Sequence, residues 1–63
     1  MNEAHSLRDL IIEEAGALFR EQGYATTTIK QIAKASGCTT AALYYHFEDG
    51  KQHILREVIR RSS

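Results

Sequence analysis

Sixty-three residues, 43% of them apolar, with no proline and four glycines, make one compact and mostly helical domain at most; a chain this short buries only roughly 60% of the surface its unfolded form exposes, too little to enclose an enzyme pocket of ordinary size. The single cysteine excludes an internal disulfide framework and fits a reducing compartment, no apolar run approaches the roughly 20 residues that cross a bilayer, and Met1 to Ser6 lack the basic and apolar regions of a signal peptide, so the expectation is a soluble, cytoplasmic chain with no membrane partner. The formal net charge of zero counts against nucleic-acid binding, whereas its distribution along the chain counts the other way.

The first helix is predicted over about Leu7 to Gln22. Ser6 is a good N-cap, and Asp9 falls near the positive end of the helix dipole. Leu7, Leu10, Ile11, Ala15, Leu18 and Phe19 recur at helical spacing as one apolar stripe. Gly23 stops the helix, because glycine takes the left-handed C′ conformation cheaply, and Tyr24 packs under the turn. This first third holds Glu3, Asp9, Glu13, Glu14 and Glu21 against Arg8 and Arg20.

The second helix begins at Thr27 or Thr28, with Thr28 and Gln31 at capping-box spacing. Ile29, Ile32, Ala33 and Ser36 share one face, and Gly37 is again the C′ position. The Thr27-Thr28 pair starts a helix whose free N–H groups favour an anion, so it is a candidate phosphate contact; simple capping is the competing reading, and one hydroxyl can cap while the other points out.

The third helix starts after Thr39 as N-cap and ends near His46. Leu43 and Phe47 face the core, while Thr40, Ala41, Tyr44 and Tyr45 form the opposite stripe. The small residues Thr40, Ala41 and Ala42 permit close approach to base edges, and a Thr or Ala methyl can touch a thymine methyl. Tyr44, Tyr45 and His46 can donate to phosphate oxygens along a groove wall. Taken alone, this helix reads equally as a surface helix with half-packed aromatics. Preceded by a short helix and the Gly37 turn, it reads as the second half of a helix-turn-helix over about residues 28–46. From Tyr24 to Phe47 the chain carries Lys30 and Lys34 and no acid.

A fourth helix begins after Asp49, with Gln52 completing a box-like pair, and still runs at Ser63. Ile54, Leu55, Val58 and Ile59 form its apolar face; Lys51, Arg56, Arg60 and Arg61 are its cations. A lysine in a first turn opposes the dipole, which points to an external anion at Lys51. Cys38 reads as a small apolar filler. Cys38 with His46, His5 or His53 lacks any metal-ligand spacing, and no nucleophile–base arrangement can be placed, so no metal, cofactor or catalytic residue is expected. The architecture is all-α: one domain over residues 1–63, with three helices around one small core plus the start of a fourth.

From about Arg8 to Val58 the chain resembles the N-terminal DNA-binding domain of the tetracycline-repressor family. Arg8, Ile11, Ala15, Leu18 and Phe19 resemble its first helix. Gly23-Tyr24, Thr27-Thr28-Ile29, Ile32-Ala33 and Gly37 resemble its second, and Leu43-Tyr44-Tyr45-His46-Phe47 resembles its most recognisable run. Ser36 replaces a common alanine and Cys38 a common valine. The resemblance implies that Thr28 touches phosphate, that Thr40 and Ala41 lie nearest the bases, and that Tyr44, Tyr45 and His46 hold the backbone. It also matches Lys51 to the family lysine that opens the fourth helix if Glu48-Asp49-Gly50-Lys51 holds one extra residue; an ungapped alignment places Gly50 there. With Thr27 and Thr39 from the two helix starts, these are the expected DNA contacts. Family members carry a longer C-terminal helical domain, missing here, that dimerises and binds a small effector. The expectation is a sequence-specific module of a ligand-responsive transcriptional repressor, reading a palindromic operator in double-stranded DNA as a homodimer, with an effector these residues do not name. The alternative is a small helical protein-interaction module without DNA binding.

Overall fold

The computed structural model describes residues 6–62. The signal-peptide reading of the first residues, the charge of Glu3, the candidate ligand His5 and the last residue, Ser63, fall wholly or partly outside the described residues. Four helices, α1 (Leu7–Gln22), α2 (Ile29–Ala35), α3 (Thr40–His46) and α4 (Lys51–Ser62), follow one another without a strand among the described residues. α1 packs against the other three, and α2 against α3.

The helix ends follow from local chemistry. Asp9 N–H donates to Ser6 Oγ at 3.2 Å. Gln31 N–H donates to Thr28 Oγ1 at 3.1 Å, and Thr28 N–H donates to Gln31 Oε1 at 3.0 Å, completing the capping box. Ala42 N–H donates to Thr39 Oγ1 at 3.1 Å. Each hydroxyl satisfies an N–H that has no partner inside its helix. α2 ends in a Schellman turn around Gly37 (φ 71°), with Cys38 N–H on the Ala33 carbonyl at 2.9 Å and Gly37 N–H on that of Lys34 at 3.1 Å. Gly23 departs from expectation. Its φ is positive, 88°, but its ψ of 153° leaves the left-handed helical well, so the chain leaves α1 extended.

The core is Ile11, Ile12, Ala15, Ile32, Ala33, Leu43, Phe47 and Ile54, all buried; each large member contributes about 1.5–3 kcal/mol relative to exposure. Two expectations for α4 change. Its first helical bond runs from Ile54 N–H to the Gly50 carbonyl, so it opens one residue later than predicted, and the Asp49 carboxylate lies 3.5 Å from Arg56 instead of making the box-like pair. Ile59 is 56% exposed, because α4 outruns the core and only its first two turns lie over buried neighbours.

Arg61, at the far end of α4, bonds Asp9 in the first turn of α1. That bond, with the Ser6 hydrogen bond behind it, holds the Asp9 carboxyl below the usual carboxylate range, and desolvation opposes it only in part. The resulting stabilisation is complete above the unfolded-state value and lost as pH falls through the lower folded-state value. Melting temperature is therefore expected to fall on acidification below about pH 4, and less steeply in Asp9→Asn. Identical acid profiles for the two chains, followed by circular dichroism, would remove Asp9 from this role.

Candidate nucleic-acid interface

α3 is held by its apolar side and open on the other. Leu43 and Phe47 are fully buried, while Thr40, Ala41, Tyr44 and Tyr45 are all exposed. Tyr45 is 85% exposed and meets the half-buried His46 edge-on, with centroids 5.1 Å apart. Tyr44 is 47% exposed and lies across Gly50, where an added Cβ would come within 3.3 Å of its ring. Among the described residues, the large exposed apolar or aromatic side chains are Tyr44, Tyr45 and Ile59. The α3 surface is thus two hydroxyl-bearing rings beside small residues, not the apolar patch a protein-docking helix presents.

The start of α2 is built from three side chains. Besides its part in the capping box, Gln31 Oε1 accepts from Gln22 Nε2 at 2.8 Å, and the same amide lies 3.4 Å from the Thr26 carbonyl and 3.4 Å from Thr27 Oγ1. Gln22, the last residue of α1, thereby ties α1 to the α2 cap. Sequence spacing reveals the Thr28–Gln31 pair, but nothing in it points to Gln22. Thr28 and Thr39 are exposed, and a hydroxyl that accepts from an N–H keeps its own proton to donate. Both can cap and still face a phosphate oxygen.

Thr27 does not belong with them. It is 1% exposed, and its hydroxyl donates inward to the Gly23 carbonyl at 2.8 Å. A buried hydroxyl needs an internal partner, and the turn carbonyl supplies it, so the side chain is unavailable to a duplex. Lys51 is also used within the fold. Its Nζ donates to the Tyr24 carbonyl at 2.8 Å and sits 4.2 Å from the centre of the Tyr24 ring. These contacts offset the unfavourable place of a cation in the first turn of α4, which the sequence alone attributes to an outside anion. Gly50 carries no side chain and is buried, so Lys51 is the cation at the head of α4.

The positive charge is divided. On α4, Arg56 lies near Asp49, Arg60 near Glu57 at 3.3 Å, and Arg61 bonds Asp9. Arg8, on α1, lies over the Phe47 ring and 3.9 Å from Glu57. Lys30 and Lys34 are exposed on α2 and have no acidic partner among the described residues. Arg20 is exposed on α1; on α4, Arg56 and Arg61 reach the preceding turn and α1, and Arg60 pairs within the helix. No group of three or more potential metal ligands occurs among the described residues, and Cys38 is half-buried.

Residues 11–58 match the sequence profile of the bacterial regulatory proteins of the tetR family. The chain is 41% identical over 56 residues to the HTH-type transcriptional regulator AcrR of Shigella flexneri, covering 89% of this chain and 26% of that protein. It is 43% identical over 54 residues to the biofilm operon icaADBC HTH-type negative transcriptional regulator IcaR of Staphylococcus aureus strain Newman, covering 86% of this chain and 28% of that one. Among solved structures, the ketosteroid transcriptional regulator KstR2 of Mycobacterium tuberculosis superposes with a TM-score of 0.80 at 34% identity, over 92% of this chain and 29% of that one. The chain thus spans little more than a quarter of the length of these relatives.

Proposed function

The chain belongs to the tetR family of bacterial regulatory proteins, and from that premise we propose that it is the sequence-specific DNA-binding module of a ligand-responsive transcriptional repressor, a binding function and not a catalytic one. The observation that carries this reading is the outward stripe of α3, Thr40, Ala41, Tyr44 and Tyr45, anchored from behind by Leu43 and Phe47 and joined to α2 by the Gly37 turn. A helix held in this way can enter the major groove with its first residues at the base edges. Thr40 and Ala41 read bases. Thr28, Thr39, Tyr44, Tyr45, His46 and Lys51 hold phosphates, with Lys30 and Lys34 adding charge. The relatives are several times longer than this chain; in the proposed reading a further helical domain that binds a small effector pairs two such modules, which act in the cytoplasm on a palindromic operator. Two-fold symmetry in the protein calls for two half-sites in the DNA.

The test is binding of the chain to random-sequence duplex DNA across a salt series. Affinity falling linearly in log salt supports a phosphate-tracking face; no binding at low salt by a folded chain would put the protein-interaction alternative first. Within that series, Lys51→Ala is expected to flatten the slope by about 1. An unchanged slope would confine Lys51 to its contacts with Tyr24. Thr40→Ala is expected to leave the slope alone and to alter preference at one base position by roughly 1–3 kcal/mol, read by selection from a randomised duplex pool. A change in slope with no change in preference would move Thr40 to the backbone contacts.

A further inference from the structure

Tyr24 is not among the expected DNA contacts, yet two groups of this residue hold the Lys51 ammonium. Its carbonyl accepts from Nζ at 2.8 Å, and its ring lies 4.2 Å below the same nitrogen. The ring is itself braced by Phe19, with centroids 5.2 Å apart. The carbonyl also accepts from Thr27 N–H at 3.2 Å, a donor it shares with the Gly23 carbonyl at the same distance in the turn into α2. Lys51 therefore reaches from the head of α4 to the residues just before Thr28, and its neighbour Gly50 lies beneath the Tyr44 ring. Lys51 is thereby tied to the turn that leads into Thr28, and its neighbour Gly50 to Tyr44, and both of those residues are exposed.

A lysine on four methylenes ordinarily spreads its charge over many rotamers, and fixing it at a phosphate costs that freedom. Here the cost falls on folding instead. An ammonium has three donors; the carbonyl takes one, and two remain.

We infer that Tyr24 is a positioning residue for DNA binding, whose ring and carbonyl hold the Lys51 ammonium ready for a phosphate oxygen. This rests on the proposed DNA-binding reading. A phosphate can then approach from the side away from the ring without displacing the carbonyl. The ring's share is separable, because a side-chain substitution leaves the carbonyl in place.

The experiment measures affinity for a random-sequence duplex at low salt, and its salt slope, for the unchanged chain, Tyr24→Phe, Tyr24→Leu, Lys51→Ala and the Tyr24→Leu/Lys51→Ala pair, all at a temperature where circular dichroism shows each folded. Tyr24→Phe keeps ring and carbonyl and is expected to bind as the unchanged chain does. Tyr24→Leu keeps apolar contact with Phe19 and is expected to bind about threefold more weakly, the population shift that losing an exposed cation–π contact gives, with an unchanged salt slope. In the Lys51→Ala background the same substitution is expected to do nothing. An equal loss with and without Lys51 would show that Tyr24 acts through the fold alone, and tighter binding by Tyr24→Leu would show that Tyr24 withholds Lys51 from DNA; either overturns the inference and leaves the DNA-binding reading intact. No binding by the folded, unchanged chain overturns both. If Tyr24→Leu does not fold, ring-fluorinated phenylalanines at position 24 keep the shape and drain the negative face of the ring. A stepwise loss of affinity with fluorination supports the inference, and a flat series overturns it.

Discussion

Phe47→Ala is expected to leave the chain largely unfolded. Phe47 is fully buried just after α3, and its ring meets side chains from both α1 and α4. The Arg8 guanidinium of α1 lies 5.1 Å from its centre, and the His53 ring of α4 meets it edge-on at 5.1 Å. Truncating a buried phenylalanine costs about 3–5 kcal/mol, including the cavity left behind. A chain of this length has roughly 3–9 kcal/mol to lose, at the usual stability per residue. Helical circular dichroism and its denaturant midpoint measure the loss. A variant that keeps full helicity and unfolds within about 1 kcal/mol of the unchanged chain would mean the site collapses around the gap. Loss of DNA binding in this variant says nothing about contacts, since it follows from loss of α3.

Gly50→Ala is expected to damage both stability and DNA binding, for separable reasons. Gly50 holds φ at 74°, and a Cβ there would press on the Tyr44 ring at 3.3 Å. The backbone conformation costs an alanine about 1–2 kcal/mol. The contact must be relieved by moving Tyr44, a proposed phosphate ligand, or the head of α4 with Lys51. Asparagine tolerates positive φ better than alanine does yet still carries a Cβ. Gly50→Asn is therefore expected to recover part of the stability and none of the affinity. If affinity instead follows stability across Gly, Asn and Ala, measured by denaturant titration and duplex binding, the Tyr44 contact plays no part in recognition.

The same glycine shows how far sequence reading reaches. An alignment without a gap puts Gly50 at the lysine position of the family, and spacing alone does not choose between it and Lys51. The Gly50 carbonyl takes the first helical bond of α4, so Lys51 is the first side chain of that helix. Ser36 is similar. Its small size reads as a substitute for alanine, and its position on the buried face of α2 follows from periodicity. Only packing shows how deeply it sits, at 6% exposed.

What the sequence determined by itself is the local part of this protein. Ser6, Thr28 and Thr39 as caps, Gly37 as the stop of α2, and Leu43 and Phe47 as an inward i, i+4 pair all depend on groups close together in sequence, and helical geometry fixes those relations before any tertiary contact forms. The tertiary structure decided which way the candidate contacts spend their hydrogen bonds. Thr27 and Thr28 are neighbours of the same kind, yet one is 1% exposed and the other faces solvent, because only the first lies over the Gly23 turn. Lys51 bonds a carbonyl 27 residues away, and the α4 arginines find acids on α1, on α4 itself and in the turn before it. A polar side chain takes the partner that folding brings nearest, and partners distant in sequence become near only when the helices have packed.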